Sequence, residues 1–233
     1  MDPSAPQAFD AYAADYDAAL NQGLALSGEG KDFFARGRIQ WLARCLDRAG
    51  ISPRTVLDFG CGTGSATPFF LEVWPALQRI VGLDVSAASL EVARREHGGQ
   101  RVEFAAIEEY RPDASMDLVF CNGVFHHVPP EQRPAAVRFI RDCLRPAGLL
   151  ALWENNPWNP GTRLVMSRIR FDRDAILLWP RSARRMLREG GFQVLRTDFR
   201  FIFPRALKWL RPLETPLARV PLGAQYQVLG RKQ

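Results

Sequence analysis

The feature that most constrains this chain is a glycine-rich turn set between a short apolar strand and a helix. Val56-Leu57-Asp58-Phe59 runs into Gly60-Cys61-Gly62-Thr63-Gly64, and a helical pattern begins at Thr67. Pro68 sits in the first turn of that helix, where a missing N–H costs little. Glycines at alternate positions let the backbone turn sharply and come close to a ligand. The helix that follows aims its first N–H groups at the same place. Val81-Gly82-Leu83-Asp84 then ends the next strand in an acid, 20 residues beyond Gly64. That is the separation at which a carboxylate accepts ribose hydroxyls in nucleotide-binding βαβ units.

The rest of the chain continues the alternation. Helices are predicted over Asp10–Leu20, Asp32–Ala49, Thr67–Val73, Ser86–Glu96 with Ser86 as N-cap, Pro130–Leu144 stopped by Pro146, and Ser182–Glu189. Strands are predicted over Thr55–Phe59, Arg79–Leu83, Val102–Ala105, Asp117–Cys121, Leu149–Trp153, Phe192 to about Phe201, and Gln225–Leu229. Strands alternating with helices predict a mostly parallel sheet covered by helices on both faces. The 233 residues read as one α/β domain, with 1–50 as a helical cap and 155–222 as a basic extension and insertion.

Two nucleotide classes share this architecture. A dinucleotide site expects G-x-G-x-x-G, but the third glycine falls at Ser65 counted from Gly60 and at Thr67 counted from Gly62. Asp58, two residues before the first glycine, also suits a ligand with a positive amino group better than a pyrophosphate. The D-x-G-x-G-x-G run resembles the first motif of class I S-adenosylmethionine-dependent methyltransferases, and V-G-L-D-V-S at Val81–Ser86 resembles their second. The resemblance covers about residues 9–154 and implies a Rossmann-like, seven-stranded, mostly parallel sheet with helices on both faces and an antiparallel last strand. It implies S-adenosyl-L-methionine as cofactor, with Gly60 and Gly62 along its methionine portion, Asp84 on the ribose and Val85 against adenine. Ile107 and Glu108 would meet the adenine edge, and Cys121 would offer a backbone carbonyl. Tyr16, in a leading helix with Tyr12, would fold over the cofactor or simply pack. Arg38, with Arg36 as second choice, would meet the methionine carboxylate.

On the acceptor side, ligands in open α/β sheets sit beyond the carboxyl ends of the strands. Phe125-His126-His127-Val128 resembles a stretch seen in many small-molecule methyltransferases. His126 reads either as a general base, since histidine titrates near neutrality, or as a packed loop residue. Glu154, ending the fifth strand beside Asn155, Asn156 and Trp158, is expected to point into the same crevice and orient or deprotonate a hydroxyl. The segment Asn155-Asn156-Pro157-Trp158 differs from the N-P-P-[YF] motif of amino-group methyltransferases. It has one proline and follows the fifth strand instead of the fourth.

Charge is uneven. Residues 161–233 carry 16 Lys/Arg against 5 Asp/Glu, whereas 1–160 carry 15 against 20. An Arg-rich half favours phosphate or carboxylate contact, or forms a solvated face. The expected partner is a small or medium acceptor, anionic or lipid-linked, with the Leu-, Trp- and cation-bearing segment 203–213 as surface helix or lid. RNA methylation and non-catalytic cofactor binding are the alternatives, although no appended RNA-binding module is visible. Cys45, Cys61, Cys121 and Cys143 show neither disulfide nor zinc spacing. No metal is expected, and the absence of a secretory signal or a long apolar run makes a cytoplasmic enzyme the expectation.

Overall fold

The structure, a computed structural model, describes residues 23–169 and 175–233. The expected Asp10–Leu20 helix, and with it Tyr12 and Tyr16, lies outside the described residues. In chain order the main elements are α1 (Lys31–Asp47), β1 (Thr55–Phe59), α2 (Thr67–Val73), β2 (Arg79–Asp84), α3 (Ala87–His97), β3 (Val102–Ala106) and β4 (Met116–Asn122). These are followed by α4 (Arg133–Cys143), β5 (Leu144–Asn155), α5 (Pro160–Arg168), α6 (Pro180–Glu189), β6 (Phe192–Arg200) and β7 (Gln225–Lys232). Short 3-10 stretches occupy Ala25–Ser27, Arg205–Glu214 and Pro216–Arg219.

The seven strands form one sheet in the order β3-β2-β1-β4-β5-β7-β6. β1 to β5 pair in parallel, and β7 runs antiparallel to both β5 and β6. Successive residues of each central strand go to opposite faces. Val56, Ile80, Leu118 and Trp153 pack against α1 and α2, whereas Leu57, Val81, Val119 and Leu152 pack on the side that Val137, Ala183 and Leu187 of α4 and α6 cover. All eight of these strand residues are at most 1% exposed. Such side chains each contribute roughly 1.5–3 kcal/mol on burial, which makes both faces of the sheet core.

Two differences from the sequence expectation have local causes. α4 stops at Cys143, one residue before the expected Leu144, because Leu144 already pairs with Met116 and opens β5 well ahead of the expected Leu149. Pro146 has no N–H to give the ladder and Ala147 takes φ 61°, so the pairing shifts register there and becomes regular from Leu149. α5 is an added helix: the Asn159 side chain accepts the Thr162 N–H (3.0 Å) and Pro160 fills the first turn.

β1 has β2 on one side and β4 on the other, so the connections leave it in opposite directions and a crevice opens at the carboxyl ends of β1 and β4. Among the described residues no helix is long and apolar enough to cross a membrane.

Candidate functional site

The turn after β1 is fastened to its neighbour. Gly60 and Cys61 donate N–H bonds to the Leu83 carbonyl (2.7 and 3.0 Å), and Gly60, Gly62 and Gly64 all have positive φ. A Cβ on Gly60 would collide with Val124, whereas a Cβ on Gly62 would meet nothing within 4 Å. Gly62 therefore faces open space, which belongs to a cavity of about 510 Å³ over the ends of β1, β4 and β5. This is within the usual range for a small-molecule site.

Asp84 ends β2 beside the turn. Its two carboxylate oxygens accept the N–H groups of Gly62 (2.8 Å) and Ser86 (2.9 Å). Asp84 itself does not line the cavity; its place is beside the turn, where it holds Gly62. Asp58 lines the cavity yet is only 4% exposed. Burial, and then the nearby Asp84 charge, push its pKa from 3.8 up to about 7, against the opposing pull of Arg38.

Arg38 also lines the cavity and donates from Nη1 to Gln225 Oε1 (2.9 Å); Gln225 in turn donates to Asn155 Oδ1 (3.3 Å). Arg36 instead pairs with Glu72 (3.1 Å) over the Phe69 ring on the outer surface. Val85, Ile107 and Glu108 do not line the cavity. Ile107 stays next to Asp84 through its N–H bond to the Asp84 carbonyl (3.1 Å), while the Glu108 side chain is exposed. Cys121 is fully buried within the sheet, and the cavity wall is made by the two residues after it, Asn122 and Gly123. Burial lifts the Cys61 and Cys121 thiols well above their ordinary value, so neither is a ready thiolate.

The acceptor-side expectation needs a correction. Glu154 does not point into the crevice: it is 1% exposed and absent from the cavity wall. Its Oε2 lies 2.6 Å from His126 Nδ1 and its Oε1 accepts the Phe125 N–H (2.8 Å). The imidazole of His126 lies between Glu154 and the cavity, which it lines together with His127. A carboxylate at Nδ1 favours the tautomer with its proton there, which leaves Nε2 as the basic nitrogen. The loop is held from behind by Arg133, which donates to the carbonyls of Val128 and Ile176 (both 2.9 Å).

The neighbouring polar residues divide in the same way. Asn155 reaches the cavity, whereas Asn156 is fully buried and caps the Pro221 and Gly223 carbonyls (3.1 and 2.7 Å). Trp158 packs outside, 5.7 Å from Trp179 between ring centres.

Among the described residues, the cations of 161–233 do not converge on the cavity as expected: of these, Arg211 alone lines it. Arg181, Arg184, Arg196 and Arg219 line a separate groove with Trp158. The sequence reading missed Phe33, α5 and Phe201–Ile202 in the far wall of the cavity, whereas the 203–213 segment it named as surface helix or lid supplies Phe203, Pro204 and Arg211. It also missed Glu214, 4% exposed, which accepts the N–H groups of Phe201 (3.3 Å), Ile202 (3.0 Å) and Phe203 (3.0 Å) in succession. The Asn159-Pro160 pair was a usable signal for α5; a carboxylate folding back from residue 214 leaves none.

Residues 56–148 match the family model described as "Methyltransferase domain". The chain is 35% identical over 138 residues to a trans-aconitate 2-methyltransferase of Acidovorax sp. (strain JS42), covering 59% of this chain and 49% of that protein. The chain spans about half the length of the curated relatives it matches. In fold it is similar to the methyltransferase solved in complex with the Haloferax volcanii Trm112 methyltransferase activator, with a TM-score of 0.64, 20% identity and 96% of each chain covered. It is also similar to the [4+2]-cyclase SpnF, with a TM-score of 0.57, 18% identity, and 82% and 79% covered.

Proposed function

We propose that this chain, whose residues 56–148 belong to the class I S-adenosylmethionine-dependent methyltransferase family, binds S-adenosylmethionine and methylates a nucleophile on a small-molecule acceptor. The observation that carries the reading is one continuous cavity that joins the glycine turn and Asp58 to the His126 ring. The residues fit the cofactor: Gly62 opens onto the cavity, and buried Asp58 beside Arg38 complements an ammonium and a carboxylate on one carbon. When bound, S-adenosylmethionine supplies a methyl group on a positive sulfur, its carbon–sulfur bond breaking with the electron pair left on sulfur.

The chain does the rest by placement. Asp84, beside the turn, accepts ribose hydroxyls, and Asn122–Gly123 stand in for the Cys121 carbonyl; Val85, Ile107 and Glu108, which lie outside the cavity, are given no part. Arg38 of the 1–50 segment meets the methionine carboxylate, and the 155–222 segment walls the acceptor end together with Phe33; the role expected of Tyr16 falls outside the described residues. His126 receives the acceptor proton at Nε2, and Glu154 acts through it as a positioning residue that fixes tautomer and ring orientation. Trans-aconitate, named for the relatives, is an obvious first compound in an acceptor screen.

The test is a cofactor-turnover screen, followed by His126→Asn and Glu154→Gln on the acceptor it finds. His126→Asn should lower turnover about 10²–10⁴-fold, with cofactor affinity unchanged. Full turnover across the pH range in that variant would end the role given to His126.

A further inference from the structure

A groove of about 350 Å³ lies beside β6, the edge strand of the sheet, between the start of α6 and the chain at Arg219 and Pro221. Arg181 and Arg184 of α6, Arg196 of β6 and Arg219 line it, with Trp158 as its aromatic wall. These arginines are of two kinds. Asp198, fully buried, ties down one pair: its carboxylate takes Arg196 Nε (2.5 Å) and Nη2 (2.9 Å) and lies 3.4 Å from Arg219 Nε. Arg219 also donates to the Thr197 carbonyl (3.4 Å). The side chains of Arg181 and Arg184 make no ion pair or hydrogen bond among the described residues, whereas Arg185 on the same helix pairs with Glu189 (2.7 Å).

Exposed arginines alone form a solvated face. Thr197 points to something more. It lines the groove at 9% exposure, and its Oγ1 is buried without a hydrogen-bond partner among the described residues, an unfavourable state that a ligand oxygen would relieve. The start of α6 adds to it. This ten-residue helix has Trp179 as N-cap with no side-chain acceptor, no acid in its first turn, and Pro180 and Arg181 against the groove. Its positive end is therefore uncapped and directed at an anion site.

Two guanidiniums, the first N–H groups of α6 and a hydroxyl offer more donors than the roughly four acceptor sites of one carboxylate can take. A phosphate monoester brings a charge of about −1.5 to −2 and three oxygens that arginine forks match in pairs. Trp158, 45% exposed and braced by Phe199 (6.1 Å) and Trp179 (5.7 Å), supplies an aromatic surface beside it. We infer that this groove is a second ligand site that holds a small organic phosphate, with the phosphate at Arg181, Arg184 and Thr197 and the apolar part on Trp158. None of its lining residues lines the cavity, so the site stands or falls apart from the methyl donor and acceptor.

The test is calorimetric titration of the full chain, at fixed ionic strength, with phenyl phosphate, inorganic phosphate and benzoate. Phenyl phosphate should bind at one site per chain, at least tenfold tighter than benzoate. Trp158→Ala should bring it down to the affinity of inorganic phosphate. Arg181→Ala and Arg184→Ala should each weaken it at least tenfold, and Thr197→Val about three- to tenfold with the melting point unchanged. Arg188→Ala, on α6 but outside the groove, should change it little. Benzoate binding as tightly as phenyl phosphate overturns the inference, as does an equal loss with Arg188→Ala, the mark of diffuse surface charge. So does a lack of saturable phenyl phosphate binding, including the case in which the chain sediments with phosphatidic acid vesicles and the arginines serve a lipid surface.

Discussion

Asp58 makes cofactor binding a proton-linked event. In the ligand-free protein its pKa stands at about 7 because the carboxyl is buried and faces Asp84. The gap from the ordinary 3.8 corresponds to about 4 kcal/mol against the charged form. The sign follows from the raised folded value. The protonated group is favoured by the fold, so its contribution to stability is complete below the unfolded pKa and is lost as pH rises through about 7.

A bound ammonium reverses the preference and draws Asp58 into its ionised state. With that pKa, about 3% of the free protein is ionised at roughly pH 5.5 and about half at roughly pH 7. Apparent affinity for S-adenosylmethionine should therefore rise about fifteenfold across that window, or roughly 1.6 kcal/mol. The ligand's own α-ammonium, with an ordinary pKa near 8, stays charged throughout. Calorimetry in two buffers of different ionisation enthalpy should show nearly one proton released per site at the acid end. Asp58→Asn should flatten the profile and abolish the release. A flat affinity with no proton release in the unaltered protein would show that Asp58 does not face the ammonium.

Asp84→Ala should weaken S-adenosylmethionine binding about ten- to hundredfold, the size of a lost charged acceptor for hydroxyls, with unchanged calorimetric affinity as the refuting result. Nicotinamide dinucleotides should give no thermal stabilisation, since Ser65 and Thr67 hold both places for the third glycine; a melting shift with them and none with the sulfonium compound would reverse the cofactor assignment. Glu214→Ala leaves three successive N–H groups without their carboxylate, and should cost about 1–3 kcal/mol, read as a melting point lower by several degrees. Because Arg181, Arg184, Arg196 and Arg219 line a groove away from the cavity, kcat/KM for an anionic acceptor should change little with ionic strength; a steep fall would put those arginines back in the acceptor's path.

The glycine turn and the elements on either side of it were legible because local rules dictate them. Glycines with positive φ, a strand bounded by them and an acid a fixed distance on are properties of short stretches, and β1 and α2 fall at the expected residues. The acceptor half depends on contacts between distant residues. Whether Glu154 turns into the crevice or behind it is decided by His126, 28 residues away. The wall at Phe201 is set by Glu214, and Trp41 of α1 meets the fully buried Asp198 of β6 (3.1 Å) across 157 residues. Where charge would gather was misjudged for a related reason: composition counts arginines but not the face each one takes. On α6, Arg181, Arg184, Arg185 and Arg188 all project outward while Ala183 and Leu187 enter the core.

The Glu214 clamp also says how this pocket would respond to redesign. Side chains at Phe33, Val165 and Phe203 are separate handles: trimming or enlarging any of them alters the outline of the cavity against a backbone that stays in place. Glu214 is a different kind of handle, because one carboxylate fixes three consecutive amides. Its removal would move the stretch as a unit and shift every specificity contact there at once. A library aimed at new acceptors should therefore hold Glu214 constant and vary the ring and aliphatic positions around it, while one that seeks a wholly different pocket shape should begin with Glu214 itself.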